Sequence, residues 1–362
     1  MGSKGLGCYP ARIDMRLHGL SALLLLSLWP SQAMAADGCG EGGSDAVRGA
    51  WDLRWDNDAF GSASQDRGYS NGMVIAAVSA DVADPAQPSC PRWPAIGSRP
   101  RAATGGPGQD VSLHRLIALR HDIYTPADKT RTDLIEDDRP YVGALLLSLG
   151  TYRREGERLR VDQWRFGMVG PSARGEQVQN AVHRVIGVRL PQGWQHQLRD
   201  EPVLQWVHER LRRWHGGTHG DALGWDAIGH AGASLGNFAT HANAGVEWRW
   251  GWRLPDDFGS SSQRPGQPYG AVAPTAGRRD WRWHLFVGVE GRWVLRDITL
   301  DGNTFKSSHR VDKRPFVADL GYGLVVAHGH WRYTLAQYQR SREFDGQAER
   351  PSFGSISVSR AF

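Results

Sequence analysis

An alternation of tryptophan with charged or small residues constrains the fold more than any other feature of the sequence. The clearest run is V-E-W-R-W-G-W-R at residues 246–253, and W-R-W-H-L-F-V-G-V-E at 281–290 repeats it. Successive side chains of a β-strand point to opposite faces, so each run predicts a strand with one aromatic and one charged face. A soluble β-sandwich and a membrane barrel can both show such alternation.

Two observations favour a bacterial outer-membrane barrel over a sandwich. Charges stand regularly opposite tryptophans, and the sequence ends on an aromatic residue, Phe362, in its last predicted strand, which resembles the end of bacterial outer-membrane barrels. Beyond the N-terminal region, no run of about 18 apolar residues predicts a transmembrane helix. A barrel strand needs only about 9–11 residues with every second one apolar, which the sequence supplies.

The N-terminal residues predict export through the inner membrane. Arg12 and Arg16 precede a leucine-rich stretch, and S-Q-A-M-A ends at Ala35 in the A-x-A pattern of a signal-peptidase site. We therefore predict a signal peptide at residues 1–35 and a short lead-in at 36–49.

Cysteine usage and charge place further bounds on the function. Without the signal peptide, Cys39 and Cys90 remain of three cysteines, either as a disulfide or as two unpaired thiols. The net charge of +5 at pH 7 is close to balance and gives no indication of nucleic-acid binding.

Twelve segments read as strands, an even number as single-chain barrels of this class require. They span residues 50–58, 69–80, 111–124, 140–152, 159–169, 203–214, 222–232, 242–253, 281–296, 316–328, 330–344 and 351–362. The predicted fold class is all-β, a 12-stranded antiparallel transmembrane β-barrel over residues 50–362. With the N-terminus in the periplasm, long connections are expected outside at 59–68, 125–139 and 170–202. Periplasmic turns should be short, and the long connection 81–109 is an unexplained exception.

The outer loop at 170–202 contains a predicted helix, G-E-Q-V-Q-N-A-V-H-R-V-I-G at residues 175–187. Its apolar residues recur at helical spacing between two glycines. Gln179 and His183 are four residues apart and share a neighbouring polar face. A solvated surface histidine is the alternative interpretation of His183. At the rim of a barrel, the apolar residues are expected to pack on the barrel wall or on acyl chains. They are Val178, Val182, Val185 and Ile186.

The predicted topology brings polar residues of three segments to the outer rim. They supply an imidazole as general base, carboxylate and amide oxygens for a hard cation, and positive charges for an anionic substrate. Asp137, Asp138 and Arg139 are instead expected in a structural ion network, and Asp200 or Glu201 could reach a cation. The rim residues are Asn57, Asp58, Ser70, Asn71, His121, Asp122, Lys129, Arg131, Gln179 and His183.

Five sequence blocks resemble the lipid A 3'-O-deacylase family of Gram-negative outer membranes. The longest block, V-G-P-S-A-R-G-E-Q-V-Q-N-A-V-H-R-V-I-G, is the most specific, and the C-terminal strands agree with the family in character. The blocks are W-D-N-D-A-F at 55–60, D-R-G-Y-S-N-G at 66–72, H-D-I-Y-T-P at 121–126, D-D-R-P-Y-V-G at 137–143 and the longest at 169–187.

The resemblance implies a site on the outside of the barrel wall, where the ester of the 3'-linked acyloxyacyl chain of lipid A is hydrolysed with Ca²⁺. By motif match, His183 falls on the family's catalytic histidine, Asn57 and Asp58 on its Asn-Asp pair, and Ser70 on its Thr/Ser position. Asp58 and Asn57 are then the expected calcium ligands. We include Gln179 among the catalytic candidates. Lys129 matches a basic position in the second outer loop, with Arg131 as its rival for a lipid A phosphate.

Our mechanistic hypothesis has His183 activate a water molecule while calcium near Asp58 stabilises the oxyanion. A Ser70 nucleophile activated by His183 is the competing mechanism, although the sequence has no G-x-S-x-G motif. An outer-membrane phospholipase and a non-catalytic pore or adhesin remain alternatives. The expected partner is lipid A or lipopolysaccharide of the outer leaflet, with the protein a membrane-embedded monomer that binds no nucleic acid.

Overall fold

The structure, a computed structural model, describes residues 49–60, 68–82, 111–216, 222–260 and 280–361. The predicted signal peptide, both Cys39 and Cys90, and almost all of the connection 81–109 lie outside the described residues. Their boundaries and pairing therefore stay predictions.

Twelve antiparallel strands close into a single barrel in which each strand pairs with its neighbours in sequence and β1 pairs with β12. This confirms the predicted fold class. The strands are β1 (Gly49–Asn57), β2 (Gly68–Ser79), β3 (Val111–Thr125), β4 (Val142–Glu155), β5 (Arg158–Val169), β6 (Glu201–Gly216), β7 (Leu223–Gly236), β8 (Ala239–Trp252), β9 (Trp281–Asp297), β10 (Phe316–His328), β11 (Trp331–Arg340) and β12 (Ser352–Ala361).

Helical structure is confined to the connections between strands. The longest piece is α1 (Gly175–Ile186), within one residue of the predicted helix, and α2 (Ile298–Asp301) follows β9. Short 3₁₀ helices cover Asp58–Phe60, Pro171–Ala173 and Trp194–His196. In the described part of the chain, no helix is long and apolar enough to span a membrane.

The strands separate apolar and charged side chains as their alternation predicts. Trp248 and Trp250 of β8 are 47% and 48% exposed, whereas Glu247 and Arg249 between them are buried inside the barrel. An apolar outer face with a polar inner face is the arrangement that a transmembrane barrel requires.

The barrel interior is filled by side chains. We call the end that carries the connections after β1, β3 and β5 the outer end, and the opposite end the inner end. Near the outer end the interior contains ion pairs, such as Arg54 with Asp56 at 2.7 Å and Arg340 with Asp319 at 2.7 Å. Towards the inner end, Phe258 packs in an apolar cluster with inward-facing residues of β1 to β7.

Phe258 belongs to residues 253–260, which we call the strap, after β8. Asp257 of the strap is fully buried and joins three arginines from different strands. Its carboxylate accepts a hydrogen bond from Arg249, and a second at 2.6 Å from Nη1 of Arg332. Its backbone carbonyl accepts from Nη1 of Arg213 at 3.0 Å. The strap therefore ties β6, β8 and β11 together across the inner end of the barrel.

Two connections differ from the predicted pattern of long outer loops and short inner turns. At the outer end, β7 and β8 extend until only residues 237–238 separate them, where the sequence predicted a gap from 233 to 241. Leu235, 51% exposed, continues the outward apolar positions of β7 into that predicted gap. At the inner end, the connection between β8 and β9 is long and contributes the strap.

Candidate active site

A β-bulge in β2 brings two polar side chains to the outer face of the barrel. The register between β2 and β3 shifts between Tyr69 and Asn71, so Ser70 is the extra residue. Tyr69 points inward, where its hydroxyl group donates to Asp56 or Asp122, each at 3.1 Å. Ser70 and Asn71 both follow on the outer side. Bulges commonly re-aim side chains next to functional sites.

Hydrogen bonds connect this bulge to its neighbouring strands. Nδ2 of Asn57, at the end of β1, donates to the carbonyl oxygen of Ser70 at 3.1 Å. The Ser70 hydroxyl lies 2.6 Å from Oγ1 of Thr125, and Nε1 of Trp55 donates to Oδ1 of Asn71 at 2.7 Å. The predicted rim residues Asn57 and Ser70 are thus buried neighbours on β1 and β2, and Ser70 is also bound to Thr125 on β3.

Helix α1 lies against the outside of the wall formed by β3 and β4. Val178 packs on a cluster of Ile123, Tyr141 and Trp194, and Ile123 is on the outward face of β3. The start of α1 is so close to β4 that a Cβ atom on Gly143 would lie 2.9 Å from the Cα atom of Gly175. A larger residue at either position would push the helix away from the barrel. The two glycines therefore allow the short distance between α1 and β4.

The buried face of α1 carries the two polar residues that the sequence predicted to share a face. Gln179 is 3% exposed and His183 is 5% exposed, whereas Val185 is 72% exposed. Of the apolar residues, Val178 packs on the barrel wall, whereas Val185 faces away from it, and contact of Val185 with acyl chains stays a prediction. The helix is oriented so that the histidine is buried, and its polar side chains have partners beneath it.

A backbone carbonyl fixes the orientation of the His183 ring. The helix ends at Gly187, whose φ of 75° is in the left-handed region, and the chain then turns back. The turn places the carbonyl oxygen of Arg189 at 2.7 Å from Nδ1 of His183. A carbonyl can only accept, so Nδ1 carries the proton of the neutral ring and Nε2 is the basic atom.

The charges around His183 favour its neutral form. Burial lowers the pKa of His183 below its ordinary value of 6.5, the Arg189 carbonyl opposes this shift, and the positive charge of Lys129 reinforces it. Burial also lowers the pKa of Lys129 to about 8, against the opposing effect of the Asp58 carboxylate. His183, Lys129 and Asp58 therefore form one electrostatically linked group, drawn from three outer connections.

A second segment of the long outer loop holds this group in place. The backbone N–H of Gln192 donates to the carbonyl oxygen of Lys129 at 2.9 Å, which ties the second outer loop to the third. Two residues later, Nε1 of Trp194 donates to Oε1 of Gln179 at 3.0 Å. Trp194 is 2% exposed, and its ring lies 5.0 Å from that of Tyr141.

The structure separates the two rival basic residues of the second outer loop. Lys129 is close enough to affect His183, whereas Arg131 points to the surface and pairs with Asp133, with side chains 43% and 66% exposed. This position favours Lys129 over Arg131 as the basic residue next to His183, and a contact of Arg131 with a lipid A phosphate stays a prediction.

The other predicted polar residues have structural partners. Nε2 of His121 is 2.8 Å from the carbonyl oxygen of Ala173, just before α1, and Asp122 faces inward. Arg139 pairs with Glu343 at 2.8 Å, consistent with the predicted ion network. Asp200 accepts from Ser172, and Glu201 accepts from Asn237, Asn303 and the Thr304 backbone. Asp200 and Glu201 therefore have protein hydrogen-bond donors as partners, and their contact with a cation stays a prediction.

Three site features were not predicted from the sequence. Thr125 as the partner of Ser70 and Trp194 as the partner of Gln179 are separated in sequence by 55 and 15 residues from the groups they bind. The tryptophan in Q-G-W-Q-H-Q was a usable signal, since tryptophan is uncommon in a polar loop. The Arg189 carbonyl had no signal, because every residue has one.

The oxygen ligands at Asp58 and Asn57 are of the kind that a hard cation binds, but they are few. Asp58 offers a carboxylate and Asn57 a carboxamide oxygen, both of which calcium accepts. Among the described residues, no group of three or more His, Cys, Asp or Glu side chains is arranged to hold a metal. A calcium ion here would take its remaining oxygen ligands from water, backbone or substrate.

A closed barrel with an aromatic outer face, and with a buried polar site mounted on that face, defines an outer-membrane β-barrel protein of the bacterial cell. Comparison with known protein families identifies one family. The chain belongs to the LpxR family of outer membrane proteins, whose family model matches residues 20–362. The family expected from the five sequence blocks is thus confirmed.

One solved structure shares the fold. LpxR from Salmonella typhimurium aligns over 86% of this chain and 100% of its own, with a TM-score of 0.68 and 17% identity. The beta domain of the Bordetella autotransporter BrkA covers 87% of this chain and 99% of its own, with a TM-score of only 0.42 and 12% identity. No curated protein sequence matches the chain.

Proposed function

We propose that the protein is a lipid A 3'-O-deacylase of the outer leaflet, a carboxylic ester hydrolase. The observation that carries the proposal is the position of His183, buried on the outside of a membrane barrel with its Nδ1 proton held by a backbone carbonyl at 2.7 Å. A base at this position meets lipids that lie beside the barrel. Membership of the LpxR family supports the substrate class.

In the proposed reaction, Nε2 of His183 takes a proton from a water molecule while the oxygen atom of this water attacks the ester carbonyl carbon. The Arg189 carbonyl stabilises the resulting imidazolium through Nδ1–H. When the tetrahedral intermediate collapses, the ester oxygen leaves with the proton from Nε2, which frees the 3'-hydroxyl group of lipid A and the acyloxyacyl acid.

Negative charge develops on the carbonyl oxygen during attack, and cations near that oxygen lower the barrier. Lys129 places an ammonium group beside Asp58 and His183, where it can stabilise this charge or bind the anionic substrate. We propose that Asp58 and Asn57 hold calcium, which when bound supplies further positive charge. Gln179, one helical turn before His183, donates to the substrate from its amide nitrogen.

Ser70 is proposed to support the site rather than to attack the ester. Its hydroxyl group is hydrogen-bonded to Thr125 and its carbonyl to Asn57. A Ser70→Thr variant should therefore keep at least about a third of the wild-type kcat, since threonine offers the same hydroxyl group. The measurement is a kinetic assay on purified protein. Complete loss of activity, with normal folding, would instead favour a serine nucleophile.

The pH dependence of kcat/KM should follow the protonation of His183, because only the neutral histidine can accept a proton from water. Since the pKa of His183 is lowered, its neutral form persists at pH values below 6.5, and the acid limb of kcat/KM should lie below pH 6.5. The charge of Lys129 contributes to this lowering, so Lys129→Met should move the acid limb to higher pH, whatever its effect on the maximal rate. An acid limb that Lys129→Met leaves in place, or moves downward, contradicts the linkage.

The proposed function is tested by mass spectrometry of lipid A from a Gram-negative host that lacks lipid A deacylases. Expression of the wild-type chain should remove the mass of the 3'-linked acyloxyacyl group, and cells with the empty vector should retain it. Free fatty acids from phospholipids, with lipid A unchanged, would identify a phospholipase instead and refute the proposal.

A pore is the main non-enzymatic alternative. The apolar cluster around Phe258 and the buried Asp257 fill the inner end of the barrel, whereas a pore needs a continuous polar passage. Steady ion conductance with unchanged lipid A would favour the pore.

A further inference from the structure

The carboxamide of Gln179 has one orientation that its surroundings permit. An indole N–H can donate but not accept, so the atom 3.0 Å from Nε1 of Trp194 must be the carbonyl oxygen of Gln179. The amide group is planar, and its NH₂ group is therefore directed away from Trp194. Without the tryptophan, the side chain could rotate and present either end.

Trp194 is itself held rigidly. The ring is buried against Tyr141, and a Cβ atom on Gly175 would lie 2.7 Å from its Cη2 atom, so the ring packs flush on the first turn of α1. Beyond the 3₁₀ helix, the backbone N–H of Leu198 donates to the Tyr141 carbonyl at 3.0 Å. The indole N–H thus has a fixed position relative to the helix that carries the base.

We infer that Trp194 is a positioning residue for the hydrolysis, and that it acts by holding the NH₂ group of Gln179 towards the reacting ester. Gln179 precedes His183 by one helical turn, and both side chains are buried on the same face of α1. The inference rests on the proposed function and adds a determinant to it: a hydrogen bond from Trp194 keeps Gln179 a donor in the reaction.

The test compares purified Trp194→Phe with wild type on lipid A, with folding checked by the heat-modifiable migration of the barrel. Phenylalanine keeps a ring in the packed position and removes only the N–H donor with part of the ring. We expect kcat to fall roughly tenfold with KM changed less than about twofold, because the bond orients a group that acts on the transition state. Trp164→Phe, on the exposed face of β5, is the matched control and should retain wild-type kinetics.

A double-variant cycle shows whether Trp194 acts through Gln179. If it does, Trp194→Phe should lower kcat less than about twofold further in a Gln179→Leu protein, because the group to be positioned is gone. Independent, multiplying losses would overturn the inference, as would wild-type kcat in Trp194→Phe.

If Trp194→Phe does not fold, Gln179→Glu decides the matter, because a carboxylate still accepts from Trp194 but has no NH₂ group to donate. A folded Gln179→Glu protein with wild-type kcat would overturn the inference, and a loss like that of Gln179→Leu supports it. A wild-type protein without product refutes the proposed function itself, and the positioning role falls with it. Active wild type with unaffected variants refutes the positioning role alone.

Discussion

Replacing His183 by glutamine should lower kcat for lipid A deacylation by about 1000-fold or more. The imidazole is the proposed acceptor of the water proton and the donor to the leaving oxygen, and general acid-base catalysis contributes about 10²–10⁴ to rates of this kind. Glutamine approximates the size of the ring and keeps an uncharged polar group on the buried face of the helix, so α1 should stay on the barrel wall. The measurement is the rate of acyl release from purified protein in detergent, with folding confirmed by migration.

A second histidine provides the control. His309 of the outer connection after β9 also meets a backbone carbonyl, that of Asp138 at 2.7 Å, so His309→Gln makes the same chemical change away from the site. It should leave kcat within about twofold of wild type, as surface changes away from a reaction centre usually do. Activity of His183→Gln above about a tenth of wild type would rule out His183 as the base.

Replacing Asp58 by asparagine is expected to lower kcat by roughly 100-fold and to abolish any stimulation by added calcium. Asp58 is 1% exposed and supplies the only charge in the proposed ligand pair. The change also removes the carboxylate that opposes the lowering of the Lys129 pKa, so less of Lys129 would be charged at neutral pH. Both effects remove positive charge from the place where the oxyanion forms.

The matched control is Asp133→Asn, an exposed carboxylate of the second outer loop that pairs with Arg131. It should keep wild-type activity and the wild-type response to calcium. The assay is a calcium titration after chelation of residual metal, with magnesium as a comparison. Equal calcium stimulation of wild type and Asp58→Asn would place the metal elsewhere.

The strand pattern made the barrel predictable. Each strand has lipid on one face and charged neighbours on the other, so apolar and charged residues alternate along it. Trp248 and Arg249 therefore already define the two faces of β8. The glycine at position 187 marked the end of α1, because a left-handed residue is needed there. The turn at 237–238 was missed since Gly236 and Asn237 interrupt an alternation that in fact continues to Leu235.

The site was predictable only in part. Sequence blocks pointed to His183, Asp58 and Ser70, but no periodicity indicates the bulge that turns Ser70 and Asn71 to the same side. The apolar spacing left open whether Val185 packs on the barrel wall or on acyl chains, and the burial of Gln179 depends on a tryptophan partner 15 residues away. Tertiary partners decided both cases, and a single sequence does not contain them.

The strap has a consequence for the cell that carries this protein. Its Asp257 and Phe258 close the interior of a barrel whose proposed chemistry takes place entirely on the outside. Abundant expression should therefore leave the outer membrane as impermeable to bulky hydrophilic antibiotics as before. Because the strap fills the inner end of the barrel and the proposed site lies on the outer wall, lipid A hydrolysis as proposed would not require an open passage through the barrel.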